Sequence, residues 1–197
     1  MRAVLLSGGM DSIALAHWKR PEVAITIDYG QKAAATELAA AAEVARGLAM
    51  RHETLRVDCS SLGSGDMVGG APLAAAPVTE WWPFRNQMLL TLAGMRAVAI
   101  GIVELMVGSV ASDGSHADGR AEFYAAADRL MSLQEGGIRV TAPAIGMTTA
   151  ELIRTSGVSR EMLGWAHSCH TGPLACGDCR GCHKHFQVTE ELYGDAY

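Results

Sequence analysis

The sequence predicts an α/β protein: a doubly wound, mostly parallel sheet of five strands. Three observations point to it. Short apolar runs alternate with stretches of helical period along most of the chain. The first, second and fourth runs are apolar on both faces, the pattern of parallel strands covered by helices. A glycine-rich turn follows the first run directly, at the strand-to-helix junction where such sheets usually bind ligands.

Taken in order, Ala3–Leu6 reads as the first strand, with a helix from near Ile13 after the turn. Val23–Ile27 is the second strand. The Ala-rich stretch Thr36–Met50 places Leu38, Ala41, Ala45 and Leu48 at helical spacing. Leu55–Val57 is the third strand, and Gly63–Ala76, rich in Gly, Ala and Ser, is a loop. A helix over Asn86–Ile102 is apolar nearly all round from Met88, which suits either a buried helix or a subunit interface. Leu105–Val107, a helix over Ala121–Gln134 and Ile138–Val140 complete the sheet. From Thr149 onward come short helices, a cysteine cluster and a C-terminal tail. The expected division is a nucleotide-binding domain over 1–148 and a helical, cysteine-rich region over 149–197.

Composition narrows the class. Of 197 residues, 49% are hydrophobic and 19% charged, enough to build a core and too apolar for disorder. A net charge of −5 argues against an extended nucleic-acid surface. The N-terminal apolar run is too short for a signal peptide. The stretch Met88–Val103 is interrupted by Arg96 and falls short of a membrane span. A cytoplasmic protein without membrane contact is expected.

The turn reads Ser7-Gly8-Gly9-Met10-Asp11-Ser12. Its glycines let an anion approach the backbone, while Ser7 and Ser12 add hydroxyl donors at a helix N-terminus. Asp11 repels a bare phosphate, so it either caps the helix or holds Mg2+ bridging phosphates. Neither of the two common nucleotide fingerprints is present. The hexapeptide resembles S-G-G-x-D-S, the pyrophosphate loop of ATP pyrophosphatases, which split ATP into AMP and pyrophosphate while adenylating a substrate.

Cys59 stands apart, whereas Cys169, Cys176, Cys179 and Cys182 fall close together. Two C-x2-C bites sharing Cys179, closed by Cys169, suit one tetrahedral ion. Zn2+ and a 4Fe–4S cluster are the candidates, and the Cys-Pro that usually completes the latter is missing. His167, His170, His183 and His185 could replace a ligand. Four thiolates leave no open position, so a structural metal is expected.

In this order, loop, middle segments and cysteine cluster resemble the 7-cyano-7-deazaguanine synthase (QueC) family of queuosine biosynthesis over nearly the whole chain. Asp28-Tyr29-Gly30-Gln31-Lys32 matches its segment after the second strand, and Trp82-Pro83-Phe84-Arg85-Asn86 its Pro-x-Arg-Asn motif. Asp113 and Asp118-Gly119-Arg120-Ala121-Glu122-Phe123 match the segment after the fourth strand, and Trp165 to Cys182 the zinc knuckle. The chain is shorter than most members, notably around Gly63–Ala76, with the loop before Asp118 one residue short, and four positions depart from the family pattern. Ala33 stands for a histidine, Thr36 for an acid with Glu37 one step late, Thr149 for a lysine, and Gly119 for a cysteine.

The resemblance implies an adenine nucleotide alpha hydrolase-like sheet and a homodimer using ATP, Mg2+ and Zn2+. The implied reaction turns a ring carboxylate into an amide and then a nitrile with ammonia. Ser7, Asp11, Ser12 and Arg85 would be catalytic. The loop residues Ser7 to Ser12, with Asp28, Tyr29 and Gln31, would hold ATP. Trp82, Phe84, Arg85, Asn86, Asp113, Asp118 and Arg120 would hold a deazaguanine; each aromatic suits plain core packing equally well. Two other readings stay open. A diverged paralogue could pass the activated deazaguanine to another amine, such as the N-terminus of a protein substrate, as QueC-like proteins near antiviral defence genes suggest. An inactive nucleotide-binding scaffold is the third.

Overall fold

The computed structural model of the chain describes residues 1–195. Among these, five strands form one sheet: β1 (Arg2–Leu5), β2 (Val23–Asp28), β3 (Arg51–Arg56), β4 (Glu104–Met106) and β5 (Arg139–Thr141). Their order is β3-β2-β1-β4-β5, and every neighbouring pair is parallel. The helices are α1 (Met10–Lys19), α2 (Ala34–Gly47), α3 (Arg85–Ala99), α4 (Ala121–Ser132), α5 (Thr149–Ser156), α6 (Arg160–Leu163) and α7 (Arg180–Tyr193). The winding direction reverses between β1 and β4, so the binding crevice of this topology lies beyond their C-terminal ends.

Both faces of the sheet are covered, which is why its central strands carry apolar residues on both sides. Val4 and Leu6 pack with Ile13 and Leu15 of α1, Val44 of α2 and Leu152 of α5. Ala3, Ile25 and Leu105 face the other way, onto Ala93 and Ala97 of α3. A smaller cluster joins Leu90, Val107, Tyr124 and Val140. Residues 149–193 are tied into the first of these layers, since Ile153, Val158, Leu163 and Val188 share it with α1. No helix among the described residues is long and apolar enough to cross a membrane.

Three elements differ from the sequence expectation. α1 starts at Met10 rather than near Ile13, because Gly9 is its N-cap and the Gly9 carbonyl already accepts the Ile13 amide at 3.1 Å. β3 begins at Arg51, not Leu55, and pairs with β2 along its whole length. Its polar residues are accommodated because it is an edge strand: Glu53 pairs with Arg51 and with Arg96 of α3, and His52 contacts Thr26 at 2.8 Å. The C-terminal tail is the 14-residue helix α7, capped by Cys179 and closed by Gly194 at φ +75°. The 63–76 loop contains a 3-10 turn over Gly65–Met67 that buries Met67.

Gly8 holds the turn against α2. Its φ is +81°, and a Cβ there would lie 2.8 Å from the Glu37 carbonyl oxygen and 3.0 Å from the Ala40 Cβ. Gly8→Ala is therefore expected to cost about 2 kcal/mol, combining left-handed strain with a displaced helix backbone. Urea unfolding checks this; an unchanged midpoint would show that α2 yields freely.

Candidate active site

Parallel strands end on one side of the sheet, so their connecting loops and the following helix N-termini converge there. They enclose a cavity of about 630 Å3. Its walls come from the β1–α1 turn, the first turns of α3, the segment after β4 and parts of 167–187.

Ser7, Gly9, Met10, Asp11 and Ser12 line this cavity, and Gly8 sits behind them against α2. The Ser12 hydroxyl donates to the Gly9 carbonyl at 3.0 Å and lies 3.2 Å from the Ser7 hydroxyl. Gly108, just after β4, also lines the cavity; a Cβ there would sit 2.9 Å from the Ser12 Cα and amide nitrogen. That glycine lets the two crossover loops meet, a role the sequence reading missed although Gly-Ser directly follows an apolar strand. The α1 N-terminus with its unpaired amides and dipole is suited to an anion.

Asp11 is the charged member of the turn. Lys184, from the second turn of α7, donates to its Oδ2 at 2.9 Å and lies 3.5 Å from the Asp113 Oδ1. Burial pushes the Asp11 carboxyl above its usual range and Lys184 works against that shift. The Asp11 Oδ1 and the Thr149 hydroxyl are both buried without a hydrogen-bond partner. Nothing about position 184 stood out in the sequence, because the segment read as a tail.

Arg85, the first residue of α3, is the deep cation. Burial opposes its charge, but Tyr29, Asp118, Glu37 and Asp113 outweigh this and hold its pKa above the usual value. Glu37 is pushed up by burial and accepts the Gln31 side-chain amide at 2.7 Å. Gln31 in turn accepts the Tyr29 amide at 2.9 Å, so the acid one step late in the pattern anchors the turn after β2. Tyr29, Glu37, Arg85, Asn86 and Asp113 all line the cavity.

Several nominated residues lie outside that lining. Asp28 accepts the Gly30 amide and pairs with Arg56 at 3.4 Å. Trp82 is buried edge-on against Tyr29, with centroids 4.9 Å apart, and Phe84 is 76% exposed. Asp118 accepts the Asn86 amide at 3.1 Å, placing a carboxylate at the α3 N-terminus. Arg120 donates to the Gly114 carbonyl at 3.0 Å. Gly119 has a steric reason, since a Cβ would stand 2.2 Å from the Asp113 carbonyl oxygen. Gln31 is buried beneath the cavity rather than in its wall.

The four clustered cysteines converge, their sulfurs all within 4.8 Å of one another. A tetrahedral zinc thiolate site requires sulfurs roughly 3.8 Å apart, and the Cys176 and Cys182 sulfurs stand at 3.9 Å. Backbone amides of Asp178 and Cys179 donate to the Cys176 sulfur at 3.4 and 3.3 Å, and the Cys182 amide donates to Cys179 at 3.5 Å. Such donors favour thiolate. The Thr171 hydroxyl and these amides bring Cys176 down to about 6, whereas burial pushes Cys182 up to about 12. The donor set fits Zn2+. The surrounding segment reaches the cavity: the His167 amide donates to the Gly8 carbonyl at 2.9 Å, and His170, whose Nδ1 is buried without a partner, lines the wall.

The family model described as "Queuosine biosynthesis protein QueC" matches residues 2–192. The 7-cyano-7-deazaguanine synthase of Methylococcus capsulatus is 33% identical, covering 95% of this chain and 93% of its own. Those of Chlorobium luteolum and Ralstonia nicotianae are 34% and 36% identical, covering 96% and 91% of this chain and 92% and 89% of theirs. A deacetylase of teicoplanin biosynthesis aligns at a TM-score of 0.42 with 12% identity over 98% of this chain and 93% of its own, a likeness too slight to argue from. A match that runs from the first strand to the last helix, taking in the glycine turn and the cysteine cluster together, decides the matter: the chain belongs to the QueC family.

Proposed function

We propose that the protein is an ATP-dependent carbon–nitrogen ligase acting on 7-carboxy-7-deazaguanine or a close relative. It adenylates the ring carboxylate and amidates it with ammonia, releasing AMP and pyrophosphate. The observation that carries this reading is the shared cavity: the glycine turn at the end of β1 and the buried Arg85 guanidinium line one space. A carboxylate is inert to amines until one oxygen becomes a leaving group. Placing a phosphate-binding turn beside a carboxylate-pairing arginine meets that need.

The α1 amides, with the Ser7 and Ser12 hydroxyls, receive the phosphates. Mg2+ suits the Asp11 Oδ1, a buried oxygen without a partner, and when bound supplies charge neutralisation on the phosphates. Arg85 holds the carboxylate in line with the α-phosphorus. The carboxylate oxygen attacks that phosphorus, and the bond to the β-phosphate bridging oxygen breaks to release pyrophosphate. Ammonia then attacks the acyl carbon, AMP departs with the C–O bond electrons, and a proton is shed to give the amide. A second adenylation, on the amide oxygen, followed by loss of AMP and both nitrogen protons, gives the nitrile.

Mass spectrometry of products from ATP, 7-carboxy-7-deazaguanine and ammonia tests this. Amide or nitrile with AMP is the expected result. An adenylate that accumulates until another amine is supplied would favour the paralogue, and ADP with phosphate would overturn the AMP-forming reading.

The same reading takes the protein as a homodimer. α3 leaves Met95 65% and Val98 48% exposed, and Val103 beside it is 56% exposed. A second copy is the commonest cover for such a face. Light scattering at micromolar concentration should give twice the monomer mass; a monomer would refute it. The interface is expected on α3, around Met95 and Val98.

A further inference from the structure

Among the described residues, three long cationic side chains line the cavity: Arg85, Arg180 and Lys184. They are held differently. Arg85 lies deep among Tyr29, Glu37, Asp113 and Asp118. Arg180 pairs with Glu80 at 3.2 Å and contacts His116 at 3.4 Å. Lys184 reaches the glycine turn itself, at 2.9 Å from the Asp11 Oδ2, and spans to the Asp113 Oδ1 at 3.5 Å. Its side chain stays 33% exposed, so it is anchored without being sealed off.

An ammonium has three N–H donors, and the two carboxylates engage two of them. The third remains for a ligand in the cavity. Asp11 and Asp113 bring two negative charges to the place where the turn would bind a polyanion, and phosphate entry there needs a compensating cation. Thr149, which begins α5 near Asp11, offers a buried hydroxyl and no charge. Lys184, bonded to the turn at Asp11, is the cation placed to meet the need.

We propose that Lys184 is a substrate-contacting residue that holds the β- and γ-phosphoryl groups of the nucleotide, the part released as pyrophosphate. It keeps its bond to Asp11 and donates its remaining N–H to a phosphoryl oxygen. This rests on the AMP-forming reading above. A compact, mobile-stemmed point charge suits a group that must let pyrophosphate go after the P–O bond breaks.

Isothermal titration with ATP, AMP and inorganic pyrophosphate, at fixed Mg2+ concentration, tests the assignment in Lys184→Met and Lys184→Gln. Metal content and melting temperature are measured alongside as checks on folding. Affinity for ATP and for pyrophosphate should fall by about tenfold or more, the scale of a charge-assisted contact, while affinity for AMP holds. An ATP-to-AMP affinity ratio equal to that of the unaltered protein would overturn the assignment, leaving Lys184 a structural ion pair. Absence of ATP binding by the unaltered protein would overturn the AMP-forming reading together with this proposal.

Discussion

Ser12→Ala is expected to lower AMP formation by roughly 100-fold to 1,000-fold, the loss seen when one donor to a charged transition state is removed, its O–H turning from the Gly9 carbonyl to the phosphates when nucleotide binds. The cost to the fold should be small. The Ser12 hydroxyl makes one bond, to the Gly9 carbonyl at 3.0 Å, and a contact with Ser7 at 3.2 Å. Losing such a bond costs about 1 kcal/mol. The side chain is 5% exposed, so alanine leaves at most a hydroxyl-sized space. Asp11→Ala should behave alike in rate, for it removes the partner-less oxygen suited to Mg2+ and frees Lys184 from its anchor. Quantifying AMP and pyrophosphate from labelled ATP, beside a melting curve, separates the two effects. A folded Ser12→Ala protein with unchanged AMP release would remove the turn from the chemistry.

Cys179→Ser carries the second large effect. Cys179 supplies a sulfur to the cluster and caps α7, accepting the Cys182 amide at 3.5 Å. Zinc binding by thiolates is folding free energy in sites of this kind. Loss of the ion, with a destabilisation of about 3 kcal/mol, should lower the melting temperature by roughly 6–12 °C. Activity should fall with it, because the segment that carries the cluster also delivers the His167 amide to Gly8 and Lys184 to Asp11. Elemental analysis should find one zinc per chain in the parent and none in the variant. Iron with acid-labile sulfide, or full metal retention after the substitution, would reject the site as assigned.

What could be read in the sequence follows from where the apolar pressure is greatest. β1, β2 and β4 lie between helices on both faces, so Ala3–Leu5, Val23–Ile25 and Leu105–Met106 are apolar on successive residues and stand out. β3 has one neighbour and carries Arg51, His52 and Glu53 on ion pairs and a hydrogen bond, so the apolar signal begins only at Leu55. α7 buries Cys182, His185, Val188 and Thr189, and this mixture hides the helical period behind polar residues. The glycine turn was legible because its composition announces its backbone. Lys184 was not, since its meaning depends on a carboxylate at the opposite end of the chain. Sequence alone nominates Trp82 and Phe84 alike, each suited to a deazaguanine or to core packing; the structure buries Trp82 and leaves Phe84, the N-cap of α3, in solvent.

The pairing of Asp11 with Lys184 closes a loop of 173 positions. Contacts of such span form late and slowly, because chain entropy must be surrendered before they return anything. A polypeptide emerging from the ribosome presents β1, the glycine turn and α1 long before α7 exists to meet them. The apolar side of α1 that Val188 helps to cover stays open throughout that interval. Competence to handle a nucleotide thus waits until α7 has been made, and a chain that stops short of that helix is expected to be both inert and prone to aggregate.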